Sequence, residues 1–149
     1  MSGRKHASDF YSAYAQGTAL YVKWAANRGM SYQEVLVLYS LHAENGITQK
    51  SICNGYGLPK QTVNAVVRSL KERGYITLQP GEKDRREKIM TLTAEGSEYT
   101  ERALGPLFDI EERVCRNIDE ERFLRMTETM ELFNLLFEKE MERDLQKDE

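Results

Sequence analysis

Lys60, Gln61, Thr62, Asn64 and Arg68 fall within nine residues, and further along Lys83, Arg85 and Arg86 surround Asp84. Amide and guanidinium groups pair with base edges in the major groove of DNA, and the cations among them take phosphates. Fixed arginines at a narrow tip suit the minor groove, where negative potential is concentrated. Asp84, two residues before Arg86, is placed to hold that guanidinium through charge-assisted bonds. The chemistry on offer is recognition of a polyanion. A solvated helix face and a hairpin kept polar against edge pairing have the same composition, so the elements that carry these residues must discriminate.

Those elements are legible between Ile47 and Gly96. Thr48 can cap a first helix by accepting an orphan amide, with Ile47 and Ile52 on its inward side. Gly57 supplies the positive φ that reverses the chain, and Leu58 plugs the junction. A second helix starts at Pro59, where a missing amide proton costs nothing. Val63, Val66, Val67 and Leu70 recur at helical spacing and leave the polar residues outward, until Gly74 ends the helix as a left-handed cap. Tyr75 to Gln79 and Lys88 to Leu92 then alternate as two strands, with Pro80 and Gly81 starting the turn between them. A helix opens at Thr93. Two helices meeting at a steep angle, followed by a hairpin with a charged tip, form a winged helix-turn-helix: a mainly α fold with a small β-hairpin wing.

The charge distribution agrees. The net charge is −3, but residues 47–90 hold nine Lys and Arg against four Asp and Glu, while residues 91–149 hold eight against seventeen. Clustered positive charge is the footprint that phosphate binding requires, and an acidic remainder stays off the backbone. With 149 residues and 40% apolar content the chain is expected to form one module. It has no long apolar run to span a membrane, and MSGRKHASDF has no secretory character, which points to the cytoplasm. Cys53 and Cys115 make neither a disulfide framework nor a metal site, and no cofactor motif is present. His6 and His42 stand outside any HExxH, P-loop or GxGxxG spacing, so an enzyme is not expected.

The block ITQKS, GLPKQTVNAVVRSLKERGYI, Asp84-Arg85-Arg86 and LTAEG resembles the DNA-binding core of the MarR family of bacterial transcriptional regulators. The resemblance implies that the second helix enters the major groove while the wing tip reaches the adjacent minor groove, with Asp84 aiming Arg86. It implies DNA contacts from Thr48, Gln49, Lys50, Pro59, Lys60, Gln61, Thr62, Asn64, Arg68, Lys83, Asp84, Arg85 and Arg86. Two residues depart from the family pattern: Pro59 stands where a capping Ser is commoner, and Gly55 loosens a helix end that usually has a larger residue.

The flanks suggest how the lobe is held. Phe10, Tyr14, Gly17, Tyr21 and Trp24 share one helical stripe, widened by Tyr11, Ala13 and Leu20. At the other end a helix runs past Val114, with Pro106 expected to kink or interrupt it. Asp119 can cap a last helix bearing Phe123, Met126, Met130, Phe133, Phe137 and Met141, with Leu132, Leu135 and Leu136 beside them. This is more apolar surface than a small lobe covers, so a second copy is the expected partner, as in MarR-like dimers that bind an inverted-repeat operator of double-stranded DNA. The expected division is a single domain over 1–149, with the DNA-binding lobe at 30–92 and dimerisation helices at 8–27 and 105–143. A bacterial or archaeal nucleoid is the implied location.

The resemblance also implies a small aromatic or amphipathic effector between dimer helices and lobe. Tyr11, Tyr14, Trp24, Tyr32, Tyr39 and His42 are the residues that could line its crevice, although an aromatic stripe at this spacing equally describes core or interface. A thiol switch is the competing regulatory reading. Cys53 fits inert packing better, whereas Cys115 has Arg113 and Arg116 nearby. The alternative function is a winged helix used for protein contact without sequence-specific DNA binding.

Overall fold

The computed structural model describes residues 3–81 and 84–147, so Lys83 of the wing tip lies outside the described residues. Its elements are α1 (Gly3–Asn27), α2 (Tyr32–Ala43), β1 (Ile47–Thr48), α3 (Gln49–Tyr56), α4 (Lys60–Glu72), β2 (Ile76–Pro80), β3 (Lys88–Leu92), α5 (Ala94–Ile118) and α6 (Glu120–Leu145). The three strands form one antiparallel sheet in the order β1-β3-β2. This is the winged helix-turn-helix expected from the sequence, with one strand added. β1 pairs Ile47 with Met90 and Thr48 with Ile89, which ties the start of the helix pair to the wing. Two residues are too few to show an alternating pattern, so the sequence had marked this site only as a helix cap.

The chain divides into two compact units, Met1–Leu104 and Gly105–Glu149. In the first, Val35, Val37, Leu38 and Leu41 of α2 are buried, as are Ile52 of α3, Val63, Val67 and Leu70 of α4, and Ile76 and Met90 of the sheet. α1 contributes little to this core, since Ala25 is its one buried residue among those described. At the register Leu78 opposite Met90, strands β2 and β3 place apolar residues inward, and the hydroxyls of Thr77 and Thr91 bond across the pair at 2.7 Å.

Helix ends follow the capping chemistry read from the sequence. The Thr48 hydroxyl accepts the Ser51 amide at 3.1 Å, and Gly57 closes α3 at φ 61°, after which the Leu58 amide returns to the Cys53 carbonyl. Gly74, at φ 74°, ends α4 with its own amide on Lys71 and the Tyr75 amide on Leu70, the paired bonds of a Schellman turn. Thr93 starts α5: its hydroxyl accepts the Gly96 amide and donates to the Gly74 carbonyl.

α5 runs through Pro106 without interruption, contrary to one of the outcomes expected there. Proline forfeits a single intrahelical bond, and the 25-residue helix carries it. In the second unit the Asp119 carboxylate caps α6 by accepting the Arg122 amide at 3.1 Å. No described residue of α6 is buried.

Candidate nucleic-acid interface

The polar face of α4 is narrower than the sequence suggests. Gln61, Asn64, Ala65 and Arg68 stand at i, i+3, i+4 and i+7, with Lys60 beside Asn64 one turn earlier, so these residues share one stripe. Lys60, Gln61 and Arg68 are exposed and Asn64 is half-buried. Thr62 lies off this stripe, half-buried toward Val66. Pro59 occupies the N-cap and offers no side-chain hydrogen bond, so the first amides of α4 keep their capacity for an anionic oxygen. At the start of α3, Lys50 is exposed and Gln49 half-buried. The Thr48 hydroxyl is already engaged with the Ser51 amide and hydroxyl.

The wing tip is built differently from the expectation. The Asp84 carboxylate accepts the backbone amide of Arg86 at 2.9 Å, and the structure gives it no bond to the Arg86 guanidinium. An aspartate side chain that accepts the amide two residues on closes an Asx turn. Asp84 therefore shapes the loop from which Arg85 and Arg86 project, rather than aiming Arg86 directly. The loop is tightened further by the Gly81 amide on the Glu87 carbonyl at 2.9 Å and the Glu87 amide on the Asp84 carbonyl at 3.1 Å. Arg85 and Arg86 are exposed.

Behind the interface lies a cluster with no local sequence signal. Arg73, the last residue of α4's cap, donates from Nη1 to Glu34 Oε1 of α2 at 2.9 Å. The same oxygen accepts the Tyr99 hydroxyl of α5 at 2.9 Å. The Arg73 guanidinium carbon lies 4.7 Å from the ring centroids of both Tyr75 and Tyr99, which stack at 4.4 Å and 13°. Burial works against the charge on Arg73, but the bonds and charge of Glu34 and Tyr99 outweigh it and hold the guanidinium above its ordinary value. Burial, aided by Glu34, raises the Tyr99 phenol. Ser31-x-x-Glu34 reads as a capping box, and the Ser31 hydroxyl does accept the Glu34 amide at 3.0 Å. The Glu34 carboxylate turns instead to Arg73 and Tyr99, thirty-nine and sixty-five residues away.

The six candidate effector residues are divided between α1, with Tyr11, Tyr14 and Trp24, and α2, with Tyr32, Tyr39 and His42. Tyr32 is near enough to Tyr14 and to Tyr56 of α3 to feel both phenols, and burial first, then those two, raises its hydroxyl. The Trp24 indole N–H is buried without a hydrogen-bond partner among the described residues, and Arg28 covers the ring at 5.3 Å. His42 Nδ1 pairs with Glu101 of α5 at 3.3 Å. Tyr11 is 68% exposed. A surface concavity of about 560 Å³ sits elsewhere, against Cys115, Arg116, Asp119, Glu120, Phe123 and Leu124. No cluster of His, Cys, Asp and Glu able to hold a metal occurs among the described residues.

The model of the MarR family matches residues 28–87, the stretch from the end of α1 to the wing. The uncharacterised HTH-type transcriptional regulator YwoH of Bacillus subtilis is 31% identical over 98 residues, covering 64% of this chain and 71% of that protein. The chain belongs to the MarR family. This MarR-family protein is therefore a member of a family of DNA-binding transcriptional regulators with the winged-helix fold. Its chain is also similar over 97% of its length, at 26% identity and a TM-score of 0.81, to NMB1585, a MarR family regulator from Neisseria meningitidis, 99% of which is covered. The fold is likewise that of S. aureus MepR in DNA-binding conformation, at 19% identity and a TM-score of 0.70, over 88% of this chain and 98% of that one. All the residues expected to contact DNA fall inside the matched family segment, as do Tyr32, Tyr39 and His42. No described helix of this MarR-family protein is long and apolar enough to cross a membrane.

Proposed function

We propose that this protein is a homodimeric, sequence-specific repressor that binds an inverted-repeat operator and is released by a small aromatic or amphipathic molecule. The observation that carries the reading is the uncapped start of α4, which brings Lys60, Gln61 and Asn64 to one end of an amphipathic helix followed by a wing with two exposed arginines. Base-reading amides together with phosphate-seeking cations are what a major-groove helix uses, and Arg85 and Arg86 supply the minor-groove arm. In this reading Lys60 and the first α4 amides take phosphates, Gln61, Asn64 and Arg68 read bases, and Thr48, Gln49 and Lys50 dock the start of α3. A wing used only for protein contact has no need of paired tip arginines, which disfavours the alternative.

Dimerisation is supported by each unit on its own. α6 exposes Leu124, Leu132, Leu135, Leu136 and Phe137, and α1 exposes Tyr11, Tyr14 and Leu20. Apolar surface of this extent along whole helices is covered by a partner, and a twofold pairing sets two α4 helices about one DNA turn apart. The effector reading draws on two separate features, the Trp24 indole N–H without a partner among the described residues and the phenols of Tyr14 and Tyr56 near that of Tyr32, donors suited to a ring bearing a carboxylate or hydroxyl. A regulator of this kind works in the cytoplasm, at the nucleoid.

The test is a gel shift of the purified protein on DNA from upstream of its own gene, with unrelated competitor and at stated salt. A competitor-resistant shift whose footprint shows two half-sites about one turn apart is expected. Binding abolished by competitor would leave only nonspecific affinity and favour the protein-contact reading.

A further inference from the structure

We infer that Arg73, Glu34 and Tyr99 form a clamp that sets the angle of the recognition helix, making Arg73 a positioning residue for operator binding that itself touches no DNA. The inference rests on the proposed reading of α4 as that helix. Its basis is placement. Arg73 stands at the C-terminal end of α4, the end opposite the amides of Lys60 and Gln61. From there its guanidinium joins the first turn of α2 through Glu34, the first turns of α5 through Tyr99, and the residue that leads into the wing through Tyr75. Three helices and the entry to the wing thus converge on one side chain.

The geometry gives the clamp leverage. A helix of 13 residues is about 20 Å long. A tilt of roughly 10° about its fixed end moves the reading end by about 3 Å, the full length of a hydrogen bond. The interactions resist such a tilt because they are directional and partly shielded. The Glu34 side chain is 18% exposed and the Arg73 side chain 35%. One carboxylate oxygen receives two donors, and the planar guanidinium is held against two stacked rings. A lysine at position 73 would supply the charge without the planar contact.

The clamp can be distinguished from a charge effect by sign. Replacing Glu34 by glutamine removes a negative charge from the DNA-binding lobe, which by long-range electrostatics alone strengthens DNA binding. A clamp predicts the opposite. Operator affinity should be measured by fluorescence anisotropy over a salt series for the full-length wild type, Glu34→Gln, Tyr99→Phe, Arg73→Gln and, as reference, Arg86→Ala. Glu34→Gln and Tyr99→Phe are expected to weaken operator binding by roughly 3- to 30-fold, with the slope of log affinity against log salt unchanged. Tyr99→Phe removes one hydroxyl and keeps the ring stack, so it serves if Glu34→Gln fails to fold. Wild-type or tighter binding by both variants while Arg86→Ala weakens binding would overturn the clamp and leave the DNA reading standing. A salt slope lowered by about one unit in Arg73→Gln would make Arg73 a phosphate contact, which also overturns it. If Arg86→Ala too were without effect, the DNA reading beneath the inference would itself fall.

Discussion

Gly96 approaches Tyr75 so closely that a Cβ built on it would stand 1.8 Å from the Tyr75 carbonyl oxygen. The approach is needed because the first turn of α5 is fastened to the end of α4: the Thr93 amide donates to that same carbonyl, and the Thr93 hydroxyl bridges Gly74 and Gly96. A backbone oxygen cannot swing aside as a side chain can. Gly96→Ala is therefore expected to destabilise the protein at or above the upper end of the about 1–3 kcal/mol typical of overpacking. Denaturant unfolding checks this, and a cost below about 0.5 kcal/mol, the level of an ordinary surface change, would refute it.

The wing tip separates shape from contact. Arg86→Ala removes an exposed guanidinium and should weaken operator binding by about 1–3 kcal/mol with no change in thermal midpoint. Asp84→Ala leaves both arginines in place but opens the turn closed on the Arg86 amide, so it should weaken binding as well. Anisotropy titrations of both variants decide the matter; wild-type affinity in Asp84→Ala would mean that the turn holds without its carboxylate.

Along α4 two neighbours should fail in different ways. Lys60 is exposed at the uncapped helix start, and Lys60→Ala should weaken binding to all sequences and reduce the salt slope by about one. Asn64, half-buried on the same stripe, should on change to alanine lose discrimination between operator and mutated sites more than overall affinity. Competition titrations at several salt concentrations resolve the two. Identical profiles for both variants would contradict the division of labour.

Local chemistry made much of this fold legible. The caps at Thr48, Gly57 and Gly74 and the spacing of Val63, Val67 and Leu70 all depend on residues a few positions apart, where type and spacing determine conformation. The Asp84-x-Arg86 spacing offers the carboxylate two donors on one residue, the backbone amide and the guanidinium, and the spacing alone does not tell which it takes; the structure shows the amide. The Glu34, Arg73 and Tyr99 cluster is not legible in the sequence, since its members meet only after α2, α4 and α5 have packed. The Ser31-x-x-Glu34 spacing is that of a capping box, and nothing in it indicates that the carboxylate turns to Arg73 and Tyr99.

Alkaline pH should destabilise the protein through two half-buried phenols. Tyr32 and Tyr99 both titrate above their ordinary range, with burial the leading cause in each. A folded-state value above the unfolded one means that the native protein holds the proton longer. The resulting stability is fully present below the unfolded value of about 10 and is lost as pH rises through the folded value. The thermal midpoint should fall above about pH 10, and less steeply in Tyr32→Phe than in wild type. An identical alkaline decline in the two proteins would remove Tyr32 from the account.

Leu135 offers the sharpest test of dimerisation. It is 62% exposed on a helix with no buried residue, so in an isolated chain Leu135→Glu should change stability by no more than about 0.5 kcal/mol. If α6 lies against a second copy, the same change places a carboxylate in an apolar seam and should lower the thermal midpoint in a concentration-dependent way. Sedimentation should then show the monomer mass, and the footprint should shrink to one half-site, because the second α4 is no longer carried to the DNA. A Leu135→Glu protein that sediments as the wild type does and protects both half-sites would place the subunit contact elsewhere on the chain.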